Sequence, residues 1–114
     1  MAGRKGTKTD EALQEIISFS HNNQITAMEL DLADSSSILH FTRKIKEMNI
    51  PIHILINNAG SSNPLFLKPT IVGVMNYVYE TTKDGYESNI GVNHLGNFIL
   101  INYRLISRTF LTYS

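Results

Sequence analysis

The chain has 114 residues, 42% of them hydrophobic, with ten basic residues against ten acidic ones and no cysteine. That length allows at most one small domain with its own core. The cancelling charges leave no electrostatic footprint for nucleic acid, and the missing cysteines exclude disulfides and thiolate metal sites.

Residues 1–8 are small and basic, but Arg4, Lys5 and Lys8 lead into an acidic helix rather than an apolar run, so they are not an ordinary signal peptide. Thr7-Lys8-Thr9-Asp10 offers a capping pattern, a hydroxyl with an acid three positions on. It predicts a helix over 9–20 with Leu13, Ile16 and Ile17 on one face. His21-Asn22-Asn23 reads as its end and a turn. Ile25 to Asp31 reads as a strand. Asp34 or Ser35 then caps a helix over 35–48 whose inner face is Ile38, Phe41, Ile45 and Met48.

Pro51 stops the helical pattern. Ile52-His53-Ile54-Leu55-Ile56-Asn57 follows, nearly continuous in Ile and Leu, which predicts a strand buried on both faces. Asn57-Asn58-Ala59-Gly60 turns small and polar at that strand's carboxyl end, where open α/β sheets bind ligands. Residues 61–82 contain Pro64 and Pro69 and support no regular assignment; Ile71 to Tyr79 suits a strand or a short helix. A last helix begins near Tyr86 or Val92 and runs to about Thr109. Val92, Leu95, Phe98, Ile99, Asn102, Leu105 and Ile106 recur at three and four. Its polar Asn93, His94, Asn97 and Asn102 make it too short and too polar to span a membrane. Helix, strand, helix, strand, helix is α/β with parallel crossovers.

Several residues carry candidate chemistry. Asp31, just past a strand, can accept a hydrogen bond from a ribose hydroxyl or an exocyclic amine; it or Asp34 can equally cap the next helix. Asn58, Ala59 and Gly60 need little volume, so a ligand can lie against their backbone, though a plain turn uses the same residues. Asn93 is a poor filler one turn into an apolar helix, where amides compete for backbone bonds. Gly96 favours close packing of the same turn against a neighbour. His94 beside an apolar face reads as structural, and no second histidine four residues on supports a metal site.

Four stretches, in order, resemble the short-chain dehydrogenase/reductase family. They are Met1-Ala2-Gly3-Arg4 (the tail of the second strand), Leu30-Asp31-Leu32-Ala33-Asp34, Asn57-Asn58-Ala59-Gly60, and Asp84-Gly85-Tyr86-Glu87 with Gly91-Val92-Asn93-His94-Leu95-Gly96-Asn97-Phe98. The likeness covers most of residues 1–105, with residues 61–82 as a misfit, and points to the retinol dehydrogenase-like and WW-domain oxidoreductase-like branch. It implies an NAD(P)-dependent oxidoreductase moving a hydride between a nicotinamide and an alcohol or carbonyl carbon. Retinoid or other lipophilic carbonyls are the substrate class the branch suggests. By the same resemblance Asp31 and Leu32 meet the adenine, and Asn58, Ala59 and Gly60 lie against the ribose side. Arg4 takes the 2′-phosphate of NADP, or is simply a solvated basic start. Asn93 matches the asparagine of the Asn-Ser-Tyr-Lys catalytic set, which holds a water in a proton relay. The last helix implies a homo- or hetero-dimer contact.

The family's glycine-rich turn, T-G-x-x-x-G-x-G, is not in this sequence. No Tyr-x-x-x-Lys follows Asn93. Tyr79-Glu80-Thr81-Thr82-Lys83 spells the second pattern but precedes Asn93, so it is rejected as catalytic. The expected fold is therefore an incomplete Rossmann-like, doubly wound parallel sheet over 1–114, lacking the first βα unit and the C-terminal half, with an atypical loop or insertion at 61–82. In the order 3-2-1-4-5-6 residues 25–31 and 52–57, as third and fourth strands, are separated by two others, a gap of roughly 14 Å at ~4.8 Å per strand. The two segments either close up or stay apart with exposed apolar surface. The expected molecule is a truncated piece of an oxidoreductase, cytoplasmic as it stands although family members include membrane-associated enzymes, and silent alone. The alternative is a non-catalytic isoform that binds a partner through helix 92–109.

Overall fold

A computed structural model describes residues 1–61 and 79–106, with side chains through Tyr103. The structure is organised around the helix that begins after Asp34. The Asp34 carboxylate accepts the Ser36 and Ser37 N–H groups at 2.9 and 3.4 Å, satisfying two donors that no helix can satisfy internally. Lys44 and Lys46 in the last turn suit the negative end of the helix dipole. Ile38, Thr42 and Ile45 are its buried residues, whereas Phe41 is only half-buried and Met48 is 49% exposed.

The described elements run in this order: β1 (Ala2–Gly3), α1 (Thr7–Ser20), β2 (Met28–Glu29), α2 (Ser35–Glu47), α3 (Ser88–Ile90), a π-helical turn (Gly91–Gly96) and α4 (Asn97–Ile106). β1 and β2 pair in parallel, Ala2 opposite Met28 and Gly3 opposite Glu29, with Met28 N–H bonding Met1 O and Leu30 N–H bonding Gly3 O. The right order and parallel sense are present, but the strand expected over 25–31 is a ladder of two residues.

α1 begins two residues earlier than the sequence predicts, and the capping pattern at Thr7 is not formed. Gly6 takes the N-cap position with φ 155 and no side chain caps the helix. Thr9 instead turns its hydroxyl onto the Arg4 carbonyl at 2.6 Å, because the chain must leave β1 through a sharp bend that only Gly6 accommodates. Leu13 and Ile17 are half-buried, Ile16 is exposed and Phe19 is 91% exposed.

The larger correction concerns residues 52–57. They form no strand, and Ile54 and Ile56 are 78% and 80% exposed. A strand buried on both faces needs a ladder on each side and helices above and below. Among the described residues the sheet consists of β1 and β2 alone. Of the two outcomes expected for these segments, staying apart is the one observed. Ile54→Ser should therefore change the urea midpoint by no more than about 0.5 kcal/mol equivalent, as at other surface positions; a loss as large as a core truncation would contradict the exposure.

Among the described residues the buried apolar side chains are Ile38, Ile45 and Leu100, where α2 meets α4. Along the last helix the buried positions are Gly91, Gly96 and Leu100, five and then four apart. The π turn causes this spacing, since an i→i+5 repeat rotates the inner face away from a three-and-four pattern. Val92, Leu95 and Ile99 are half-buried as that pattern predicts, but Phe98 is 57% exposed and Leu100 takes its place. The positions expected over 62–78 and at Leu105, Ile106 and beyond lie outside the described side chains. No helix among the described residues is long and apolar enough to cross a membrane.

Candidate functional site

Asn93 sits in the middle of the π turn. Its side-chain amide holds the backbone of Ser61 at both ends. Oδ1 accepts the Ser61 N–H at 2.6 Å and Nδ2 donates to the Ser61 carbonyl at 2.7 Å. One asparagine thus does what a neighbouring strand would do for that residue. A β-carbon on Gly60 would stand 2.9 Å from Asn93 Oδ1, so a side chain there would press on the amide that holds Ser61. The carbonyls of Val92 and Asn93 are reached by Asn97 Nδ2 at 3.4 and 3.1 Å, which offsets the altered bonding of the wider turn.

Opposite lies the segment after β2. The Asp31 Oδ1 accepts the Ala33 N–H at 2.9 Å and its own N–H bonds Ser37 Oγ at 3.0 Å. Oδ2 accepts no hydrogen bond among the described residues. The capping role falls to Asp34, not Asp31. Leu32 is fixed by Gly96, where a β-carbon would collide with the Leu32 carbonyl oxygen and approach its Cβ to 2.9 Å. The packing expected of Gly96 is therefore present.

Between these walls runs a cleft of about 350 Å³ lined by small, polar and aliphatic residues. Arg4, Asp31, Leu32, Ala59 and Gly60 all face it, together with Gly3, Ser61 and Val92. Of the residues singled out from sequence, Asn58 is exposed and does not line the cleft, and Asn93 acts on it through Ser61. Arg4 also borders a second, smaller hollow with Lys5, Gly6 and Thr9 at the start of α1. Ser61 had no sequence signal, since only its main-chain atoms are used.

Lys83, the rejected Tyr-x-x-x-Lys lysine, is ion-paired with Asp34 at the start of α2. The lysine hydrogen bond holds the Asp34 carboxyl below its ordinary range, helped by the Ser36 N–H and opposed by partial removal from water. The same bond raises Lys83. A lowered acid stabilises the fold above its unfolded value and loses that effect as pH falls through the folded value; a raised lysine loses its effect as pH rises. Asp34→Asn, which keeps a capping oxygen but not the charge, should therefore flatten the melting-temperature profile at its acidic and alkaline ends. Thermal melts between pH 3 and 11 check this, and an unchanged profile would contradict it.

The structure up to this point defines a partial α/β layer: two parallel strands and a cleft beside the segment that leaves the second of them. The model of the short chain dehydrogenase family matches residues 1–107, and the chain belongs to that family. It is similar to Retinol dehydrogenase 12 of Mus musculus, 38% identical over 108 residues, covering 95% of this chain and 30% of that protein. It is also similar to the WW domain-containing oxidoreductase of Homo sapiens, 36% identical over 101 residues, covering 89% and 21%. A crystal structure of an uncharacterized protein from Mycobacterium Paratuberculosis superposes with a TM-score of 0.64 at 35% identity, over 93% of this chain and 31% of that one. The chain thus spans less than a third of the length of these relatives. The retinol dehydrogenase-like branch and the incomplete Rossmann-like α/β fold are those the sequence motifs indicated.

Proposed function

We propose that this chain carries the adenosine-side wall of the cofactor site, and one member of the catalytic set, of an NAD(P)-dependent oxidoreductase acting on a lipophilic alcohol or carbonyl. The observation that carries this reading is the convergence of Arg4, Asp31, Leu32, Ala59 and Gly60 on one cleft, with Asn93 fastened to its far wall. The residues fit the group: the walls are small, Asp31 has a carboxylate oxygen for a ribose hydroxyl or an adenine amine, and backbone approaches freely at Gly60. Arg4, beside the first turn of α1, suits a 2′-phosphate and favours NADP over NAD, since a guanidinium binds phosphate bidentately. When bound, the nicotinamide supplies the hydride.

The family's phosphate-cradling glycine turn and its proton-moving Tyr and Lys have no counterpart in these 114 residues. The chain alone is accordingly a silent portion of the enzyme, and a retinoid is the substrate class its branch supports. Incubating the purified chain with NADPH and retinal should give no retinol. Measurable turnover would overturn the reading.

A second reading, a partner-binding module acting through helix 92–109, draws on the exposed Phe98 and Tyr103. Sedimentation with and without a full-length relative decides it; a monomer indifferent to that protein excludes the partner role.

A further inference from the structure

Asp31 and the Asn93–Ser61 pair stand on opposite walls of the cleft, and the chain between them is long. A short turn bridges the gap. Thr82 N–H bonds Tyr86 O at 2.7 Å, Gly85 N–H bonds Thr82 O at 3.0 Å with Gly85 at φ 85, and Ser88 N–H bonds Glu80 O at 2.8 Å. The methyl of buried Thr82 fills the space beside Gly91, where a side chain would collide with it. The turn is therefore rigidly joined to the helix that bears Asn93.

Its tip, Lys83 and Asp84, reaches the other wall. Lys83 N–H donates to the Ala33 carbonyl at 3.1 Å and its ammonium pairs with Asp34. Asp84 accepts from Ser35 twice, Oδ2 from the backbone N–H and Oδ1 from the hydroxyl, both at 2.8 Å. Two residues thus make four bonds to three residues about fifty positions away. Asp34 caps α2 at Ser36 and Ser37, and Asp84, from the distant turn, takes the Ser35 N–H that this cap leaves open.

We propose that Lys83 and Asp84 are positioning residues, latching the turn onto Ala33–Ser35 so that Asp31 and the Asn93–Ser61 pair keep their spacing across the cleft. The use of that spacing rests on the cofactor reading above; the latch itself does not. It also gives Lys83 a task that its chance motif did not indicate.

The test uses the whole 114-residue chain, nitrogen-15 labelled, and reads amide exchange at Ser61 and Ser35, each relative to the core amide of Leu100. Asp84→Ala should speed exchange at both by roughly tenfold, the loss expected for two hydrogen bonds. Asp84→Asn, which retains an acceptor oxygen, should restore Ser61 to within about threefold of the native rate. Acceleration confined to Ser35, or failure of the asparagine to restore Ser61, would reduce Asp84 to a local cap and overturn the latch. Where Asp84→Ala does not fold, Lys83→Met leaves both Asp84 bonds and should still speed Ser61 by about twofold to threefold; no change there overturns the proposal equally. Titrating the same samples with NADPH separates the two ideas. Absent NADPH shifts remove the cofactor reading, while the exchange rates still decide the latch.

Discussion

Gly96→Val should lower the stability of this chain by about 2–3 kcal/mol, the cost of forcing volume into a filled site. A β-carbon at Gly96 meets the Leu32 carbonyl oxygen, its carbon at 3.1 Å and its Cβ at 2.9 Å. Most of these atoms are backbone, so no rotamer change relieves the clash. The helix could instead move away, but Leu100, one turn on, is packed with α2 in the small core. Replacing glycine within a helix normally gains up to about 1 kcal/mol of propensity, and valine recovers only part of that. The steric term therefore wins. The displaced Leu32 adjoins Asp31, so amide resonances of Asp31 to Ala33 should shift as well. Urea unfolding measures the first effect; an unchanged midpoint would mean that Gly96 does not touch the β2 loop.

The second large effect is at Asn93, and its size depends on charge. Asn93→Ala removes both bonds to Ser61, each worth about 0.5–1.5 kcal/mol net. Asn93→Asp has the same shape but should be worse than alanine at neutral pH. Its second oxygen would face the Ser61 carbonyl oxygen where Nδ2 now donates at 2.7 Å, and two acceptors repel. That contact raises the pKa of the introduced carboxyl above its ordinary ~3.9, because only the protonated form can donate. Stability of the variant should therefore recover as pH falls through the raised value. Amide exchange at Ser61 across pH 4–8 tests this. A variant as protected as the native chain at pH 7 would mean that the bond from Nδ2 to the Ser61 carbonyl does not hold the loop.

Much of this arrangement was legible because it is local. Asp34 before a run with apolar residues three and four apart marks the start of α2, and the structure puts its carboxylate on the predicted cap. The parallel sense of β1 and β2 follows from the crossover between them. Gly96 beside Asn93 signalled a close approach, and Leu32 is the neighbour. What failed was non-local or backbone-borne. Ile52 to Asn57 has the composition of a buried strand, but a strand exists only through its partners, and composition does not count them. The capping pattern at Thr7 lost to the bend at Gly6, whose φ no hydroxyl residue would adopt cheaply. The π turn left no mark in a three-and-four pattern, so Phe98 was placed inside and Leu100 was missed. Ser61 contributes only its main chain, and its side chain carried no message. Lys83 and Asp84 were read as letters of motifs, and their contacts with Asp34 and Ser35 needed the fold.

The central claim is that Arg4, Asp31, Leu32, Ala59 and Gly60 form one wall-to-wall site for the adenosine side of a nicotinamide dinucleotide. Titrating the nitrogen-15 labelled chain with NADPH tests it most directly. Saturable shifts, weak because no glycine turn holds the pyrophosphate, should appear at Gly3, Arg4, Asp31, Leu32, Gly60 and Ser61, and Arg4→Met should weaken NADPH more than NADH. Shifts that do not saturate, or that gather on α1 or the last helix and leave those residues unmoved, would contradict it.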